Sequence, residues 1–459
     1  MFSKAIIHTH VFVPVDELGP DRIGRLREKL TVVSRYDRSE FPTFLETPTM
    51  FGIPLYYTTR WTDLAREISD TRLDGSKIKY DFLSEMRPGQ IPVLKMFKKQ
   101  LDSGVTGFVV DAPPGFGKTV VMIKMIQMIG RSAIVVVPRS NLVEQWVSRI
   151  AQHTSLKRSE IGIVNGKEVN WEKKRIVVGL VHSLAARLND NRRFRENFGI
   201  AVFDEVDRSV PPATFSPVLC MFPARYRIGA SATVTRKDGL HLINEYHIGQ
   251  TLIRGGDHGR MNPKVLVIDY PESSGYVHPG STKINRRGML LSRLSTNQDR
   301  NRILCKYIHL ISESDRRVLV LSDRTQQLVD LRRMLILDFG YDLDTVGFYC
   351  DTVPEGKTKR KVRPSELRHS AHVCKVVLAT YGKAGIGTDI ADLAGLVYAT
   401  PQSDVRQTQG RIERLLEGKS QPVVVDIVDS YYDDAVGWSR SRLRYYQGKT
   451  LKMKQITEK

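Results

Sequence analysis

Cysteine is scarce and none of it is paired by spacing. Cys220, Cys305, Cys350 and Cys374 are scattered without a Cys-x-x-Cys pair, which excludes a disulfide framework and a zinc ribbon and makes a reducing cytosol the expected compartment. Long apolar runs are missing as well: nothing approaches the ~20 residues needed to span a bilayer. The opening Met1-Phe-Ser-Lys-Ala-Ile-Ile-His-Thr-His10 breaks its apolar residues too early for a secretory core. Neither export nor a membrane partner is expected. Low-complexity tracts and short-period repeats are also lacking. Acidic residues are outnumbered, with 50 Asp plus Glu against 70 Lys plus Arg, a formal charge of +20 and a pI near 9.7. Polyanions are the natural partners of such a chain. Nucleic acid, an acidic membrane surface or mere solubility would all use that charge, and composition does not choose among them.

What is present reads as a folded, multi-domain protein. The chain has 459 residues, 41% apolar and 26% charged, so burial can offset chain entropy, and domains of roughly 100–200 residues imply two large units and something smaller. From about Met86 to Gly249, short β-branched runs alternate with amphipathic stretches. The runs are Gly107–Asp111, Ala133–Val137, Arg175–Gly179 and Ile200–Asp204. Continuous apolar strands alternating with helices predict a parallel sheet covered on both faces, the doubly wound α/β pattern. Beyond the glycine-rich break Arg254–Arg260, the same pattern returns at Val318–Leu321, Val376–Ala379, Leu396–Ala399 and Pro422–Asp426. The predicted organisation is a small N-terminal α+β domain over 1–80, α/β domains over 81–252 and 260–432, and a basic helix or tail over 433–459. The stretches 356–363 and 440–454 are conspicuously basic and could track phosphates, although solvated basic faces would look the same.

The chemistry begins where strand Gly107–Asp111 runs into Ala112-Pro-Pro-Gly-Phe-Gly-Lys-Thr119 and then a helical stretch from Val120. Gly115 and Gly117 let backbone N–H groups close round phosphate oxygens, and the helix N-terminus adds a positive dipole end. Pro114, Gly115, Phe116, Gly117, Lys118, Thr119 and Val120 are therefore the nucleotide-binding candidates. Lys118 would reach the β- and γ-phosphates and Thr119 would ligate Mg²⁺. Ala112 stands where the motif begins with glycine, outside the tight part of the turn. Strand Ile200–Asp204 ends in Asp204-Glu-Val-Asp207. An acidic pair just past a buried strand can hold Mg²⁺ through Asp204 and activate a water through Glu205. Alone, such a pair is usually a solvated turn; downstream of a phosphate loop it is the expected partner.

Over about residues 85–450 the chain resembles the superfamily 2 helicases and translocases, motif by motif. Arg87-Pro-Gly-Gln90 looks like their adenine-reading segment. Val137-Pro-Arg-Ser-Asn-Leu142 with Gln145-Trp146 looks like the first strand-binding motif, and Val181-His-Ser-Leu184 is similar to its companion. Gly229-Ala-Ser-Ala-Thr233, continuing into Arg236-Lys-Asp-Gly239, resembles the motif coupling hydrolysis to grip. Val320-Leu-Ser-Asp-Arg324, Ala379-Thr380 with Gly385-Ile-Gly-Thr-Asp389, and Gln407-Thr-Gln-Gly-Arg-Ile-Glu-Arg414 match the motifs of the second half. The resemblance implies two tandem RecA-like domains with ATP and Mg²⁺ held between them. It assigns catalysis to Lys118, Asp204, Glu205, Gln407, Arg411 and Arg414, and further nucleotide contacts to Arg87, Gln90, Gly387 and Asp389. Strand contacts fall to Pro138, Arg139, His182, Ser183, Arg324 and Thr380, and coupling to Ser231, Ala232 and Thr233. On a helix Arg411 and Arg414 share one face and could both point at a γ-phosphate.

Within that superfamily, Val-Glu-Gln-Trp146, the run Ser-Ala-Thr-x-x-Arg-x-Asp-Gly239 and the ending Val-Asp-Ile-Val-Asp-Ser430 resemble the repair and branch-migration group. That group includes eukaryotic repair-and-transcription helicases and phage branch-migration helicases. Asp207 stands where many of that group have histidine. The implied partner is branched, duplex or single-stranded DNA, and the implied protein a monomer, in the host cytoplasm if phage-encoded. A duplex-tracking translocase, an RNA helicase and a binding module gated by nucleotide remain open beside it.

Overall fold

The computed structural model describes the chain apart from residues 1, 58–64, 188–191, 207–211, 232–237, 257–260, 276–282, 357, 386–389, 391, 414–417, 450 and 459, and the side chains of 212–213, 283–285, 385 and 407. The chain forms two compact units, Met1–His258 and Gly259–Lys459.

The first unit carries an eight-stranded sheet in the order Val169–Asn170, Ile161–Val164, Ile176–Leu180, Ala133–Val137, Ile200–Asp204, Tyr226–Ser231, Gly107–Asp111 and Thr251–Arg254. Every pairing is parallel except the short ribbon at Val169–Asn170. Strand Ala133–Val137 is buried along its whole length, as a strand covered on both faces must be. The pattern alone missed three strands: Ile161–Val164, four residues long and broken by Gly162; interior Tyr226–Ser231, whose run mixes Arg227 and Gly229 with apolar residues; and the edge strand Thr251–Arg254. Crossing helices flank the sheet. Lys118–Ile129 starts at Gly117 and stops at Gly130, whose φ of 71° and N–H bond to Ile126 O form a left-handed C-cap.

A separate five-stranded sheet precedes it: Leu45–Glu46, Met50–Pro54, His10–Pro14, Phe2–Ile7 and Ala65–Asp70, with helix Pro20–Leu30 packed on it. The chain from 73 to 82 already lies along the large sheet through bridges Leu73↔Ala224, Lys77↔Arg131 and Phe82↔Thr154. His10 of the small sheet meets His247 edge-to-face with ring centroids 5.3 Å apart, and Cys220 Sγ lies 3.5 Å from His247 Nδ1. Their donor atoms lie within 4.8 Å of one another. The buried Arg227 guanidinium donates to the carbonyls of Leu219, His247 and Phe222 beside them, and a second cation there would meet uncompensated charge; the cluster is packing.

Burial pushes the His10 imidazole down to about 4 and the His247 imidazole well below its ordinary value, and pushes the Cys220 thiol up to about 12. A histidine whose folded pKa is depressed stabilises fully above its unfolded value of 6.5 and loses that contribution as pH falls toward 4. His10 alone accounts for about 3 kcal/mol by that displacement. The expected result is a melting temperature that drops steeply between pH 6.5 and 4, with a shallower acid limb in His10→Gln. Superimposable limbs in a thermal-melt series would contradict it.

The second unit has a wholly parallel seven-stranded sheet: Val346–Tyr349, Val376–Thr380, Arg317–Ser322, Leu393–Tyr398, Val423–Asp429, Lys264–Tyr270 and Met453–Thr457. The basic C-terminal stretch is therefore no solvated tail. Helix Asp433–Gly448 buries Arg442 completely against Asp426, and Met453–Thr457 closes the sheet as an edge strand. Lys454 on that edge helps to discourage further pairing. Arg300 makes a second fully buried pair, 2.6 Å from Asp429.

Candidate functional site

In the first unit the predicted motifs collect at the carboxyl ends of the parallel strands, where open α/β sheets bind ligands. The strand order puts Tyr226–Ser231 between the acidic strand Ile200–Asp204 and the loop strand Gly107–Asp111. Ala112 N donates to Ser231 O at 3.2 Å, and Val206 N to Ala230 O at 3.2 Å, so the predicted coupling strand is bonded to both the phosphate loop and the acidic box.

The loop itself turns through Gly115 and Gly117, with φ of 82° and 87°, conformations that glycine adopts without steric cost. A Cβ on Gly117 would meet Gln90 Nε2 at 2.6 Å. Lys118 Nζ donates to the carbonyl oxygens of Ala112 at 2.8 Å and Pro113 at 3.4 Å. Its ammonium thus crosses the mouth of the loop, where phosphate oxygens would be stronger acceptors than carbonyls. Thr119 and Val120 follow in the first turn of the helix; Phe116 is buried and Pro114 half-buried.

Gln90 and Arg87 brace this loop from behind. Gln90 is buried; its Oε1 accepts from Arg87 N at 3.0 Å and its Nε2 donates to Phe116 O at 2.8 Å. Arg87 Nη1 donates to Gly115 O at 3.3 Å. The residues expected to read a base are bonded in this structure to the phosphate loop.

Asp204 is buried, with Oδ2 accepting from the Trp146 indole N–H at 2.7 Å and Oδ1 from Glu205 N at 3.0 Å. Glu205 takes φ of 51°, a left-handed conformation costly for a non-glycine residue and typical of strained functional positions. A buried carboxylate such as that of Asp204 and a hydroxyl such as that of Thr119 are the kind of hard oxygen donors that Mg²⁺ prefers. Trp146 is the residue that the sequence did not single out for the site: it stands in the run that resembles a strand-binding motif, and its side chain is 1% exposed and reaches the acidic box. The burial periodicity of helix Ser140–His153 could have shown it facing inward. A hydrogen bond to a charged acceptor contributes ~1.5–3 kcal/mol, so Trp146→Phe is expected to lower ATP turnover about tenfold and raise the Mg²⁺ needed for half-maximal rate, the protein remaining folded. A Mg²⁺ titration indistinguishable from wild type would remove Trp146 from the site.

Arg139 and His182 are exposed beyond strands Ala133–Val137 and Ile176–Leu180, next to buried Pro138 and half-buried Ser183. In the second unit Ser322–Arg324 and Thr380 end neighbouring strands that pair Ser322 with Thr380, and Asp323 N donates to Thr400 Oγ1 at 2.8 Å. Arg324 is engaged by helix Lys283–Thr296: Nη2 donates to Gly288 O at 2.8 Å and Nε to Ser292 Oγ at 3.2 Å. Arg411 and the backbone of Gln407 lie on helix Arg406–Ile412. Asp207, Ala232, Thr233, Gly387, Asp389, Arg414 and the Gln407 side chain lie outside the described residues.

Residues 83–236 match the family described as "Type III restriction enzyme, res subunit". A protein of Acanthamoeba polyphaga mimivirus named "Putative ATP-dependent RNA helicase" is 28% identical over 94% of this chain and 82% of its own length. The "DNA 3'-5' translocase XPB2" of Sulfurisphaera tokodaii is 29% identical over 37% of this chain and 36% of its own. The crystal structure of T4 UvsW aligns over 100% of this chain and 99% of its own at 13% identity, with a TM-score of 0.40. With the phosphate loop, the acidic box and the ordered motifs set at the ends of parallel strands, the family match over residues 83–236 and these sequence relatives make the chain similar to helicases of the superfamily 2 type.

Proposed function

We propose that the protein is an ATP- and Mg²⁺-dependent DNA motor that remodels branched DNA by branch migration, fork reversal or unwinding, in recombination, repair or replication. The observation that carries the motor reading is the bonded array at the strand ends of the first unit: Lys118 over the phosphate loop, Asp204 fixed by Trp146, and strained Glu205 beside it. Lys118 binds the β- and γ-phosphates of ATP, and Thr119 with Asp204 holds Mg²⁺. Bound Mg²⁺ neutralises charge on the phosphate oxygens. Glu205 orients the attacking water and accepts its proton. Arg411 and Arg414, assisted by Gln407, supply positive charge to the γ-phosphate, and Gly387 and Asp389 complete the nucleotide contacts.

The strand is gripped through Pro138, Arg139, His182, Ser183, Arg324 and Thr380. Ser231, Ala232 and Thr233 transmit hydrolysis to that grip, in keeping with the bond from Ala112 N to Ser231 O. A monomer acting in the cytoplasm, that of the host if it is phage-encoded, fits this reading; among the described residues no helix is long and apolar enough to cross a membrane.

DNA as substrate rests on the motif run ending at Gly239 and on the translocase relative's name. The mimivirus relative's name favours RNA, and the restriction-subunit family favours tracking along duplex. A four-way DNA junction, a forked RNA duplex and a triplex-bearing DNA duplex separate the three. ATP-driven junction dissociation supports the proposal. Third-strand displacement without duplex opening points to the tracker, and RNA unwinding alone overturns DNA.

A further inference from the structure

The ribbon formed by Thr31–Val33 and Glu40–Pro42 is closed by Ser34-Arg-Tyr-Asp-Arg-Ser39, which none of the motifs uses. Arg35, Tyr36, Asp37 and Arg38 are all exposed, and Tyr36 leaves 70% of its surface open. A lone exposed tyrosine on a loose loop would mean nothing. This loop is tightly bonded: Ser34 N donates to Ser39 O at 2.9 Å and Arg38 N to Ser34 O at 3.1 Å. Asp37 Oδ1 accepts from Ser39 N at 3.2 Å and Ser39 Oγ at 2.7 Å. The hydroxyls of Ser34 and Ser39 hold the Asp37 carboxyl down to about 2, keeping the one acid of the tip engaged with the loop.

The ribbon's base is anchored in the nucleotide-binding part of the unit. Val32 is buried in that core and Phe41 packs against it. Arg35 N donates to Asp238 O at 2.9 Å, and the Arg35 side chain lies against Gly239, 3.3 Å from where a Cβ would stand. Asp238-Gly239 closes the run that starts at Ser231, the strand end bonded to Ala112 of the phosphate loop.

We propose that Arg35, Tyr36 and Arg38 form a contact point for single-stranded nucleic acid, the Tyr36 ring stacking on an unpaired base while the two guanidiniums meet flanking phosphates. Aromatic stacking with neighbouring cations is how sequence-tolerant strand binding is built. A loop already ordered by its own hydrogen bonds loses little entropy on binding. A protein partner would call for an apolar surround, whereas the residues flanking the ring are Arg35, Asp37 and Arg38. The tether to Asp238 places the contact on the same run that touches the phosphate loop. The inference rests on the nucleic-acid reading above.

The test measures binding of full-length wild type, Tyr36→Ala, Tyr36→Phe and Arg38→Asn to fluorescent single strands of DNA and of RNA, by anisotropy across a salt series. Thermal melting checks the fold. Tyr36→Ala should bind about tenfold more weakly, ~1.4 kcal/mol, and Tyr36→Phe within about twofold of wild type; Arg38→Asn should flatten the salt dependence by about one phosphate contact. A 4-thiothymidine strand should photocrosslink to the peptide carrying Tyr36 in the wild type. Wild-type affinity in Tyr36→Ala, or crosslinks only elsewhere, overturns this contact while leaving the motor reading intact. A wild-type protein that binds no single strand but does bind a four-way DNA junction overturns this contact alone, and one that binds neither overturns the nucleic-acid reading on which it rests.

Discussion

Glu205→Gln is expected to cut ATP turnover by about 10²–10⁴-fold, the range for losing a positioned general base, while leaving nucleotide affinity close to wild type. The amide preserves the size of the side chain and its place next to Asp204, whose Oδ1 accepts from the Glu205 backbone N–H rather than from its side chain. What goes is the carboxylate proposed to take the proton of the attacking water. The left-handed backbone at φ of 51° is unchanged by Gln, so the loss is chemical rather than conformational. Single-turnover hydrolysis with fluorescent-nucleotide binding separates the two quantities. Unchanged turnover would mean that the water is activated elsewhere; lost binding with lost turnover would mean that Glu205 holds the loop together.

Asp426→Ala is expected to be the most damaging single change in the second unit. Arg442 is fully buried; its Nε lies 3.0 and 2.8 Å from the Asp426 carboxylate oxygens and its Nη1 2.6 Å from Gln402 O. Tyr446 OH donates to the same carboxylate at 2.9 Å. Removing the carboxylate leaves a buried guanidinium uncompensated, which costs about 3–5 kcal/mol. Replacing both partners, as in Asp426→Leu with Arg442→Met, should recover much of that loss because the desolvated charge goes with its partner. Chemical denaturation of the two variants checks it. Equal destabilisation of single and double variants would show that packing, not charge, holds helix Asp433–Gly448.

The parts of this molecule that were legible in its sequence are those dictated by period and by backbone chemistry. Four of the buried parallel strands of the first unit are continuous apolar runs, and Gly115, Gly117 and Lys118 announce a phosphate cradle because few other residues can form one. Less legible were strands at edges, such as Met453–Thr457, where half-solvated residues carry no apolar run and pairing is decided by the neighbouring backbone. The same holds for side chains whose partners are far along the chain. Trp146 finds Asp204 across 58 residues, Arg442 its carboxylate on a neighbouring element, and the ribbon at residues 31–42 packs Val32 into a core that its own sequence neighbourhood does not contain. For Gln90 the motif implied a base contact and the structure adds bonds to Arg87 N and Phe116 O, which no motif could give, since it records residue type and not the acceptor it reaches.

The most direct measurement is steady-state ATP hydrolysis by the wild-type protein with Mg²⁺, first alone and then with single-stranded DNA, a four-way DNA junction and RNA of matched length. The account predicts low basal turnover raised severalfold or more by DNA, most by the junction. Turnover that no nucleic acid changes would contradict it.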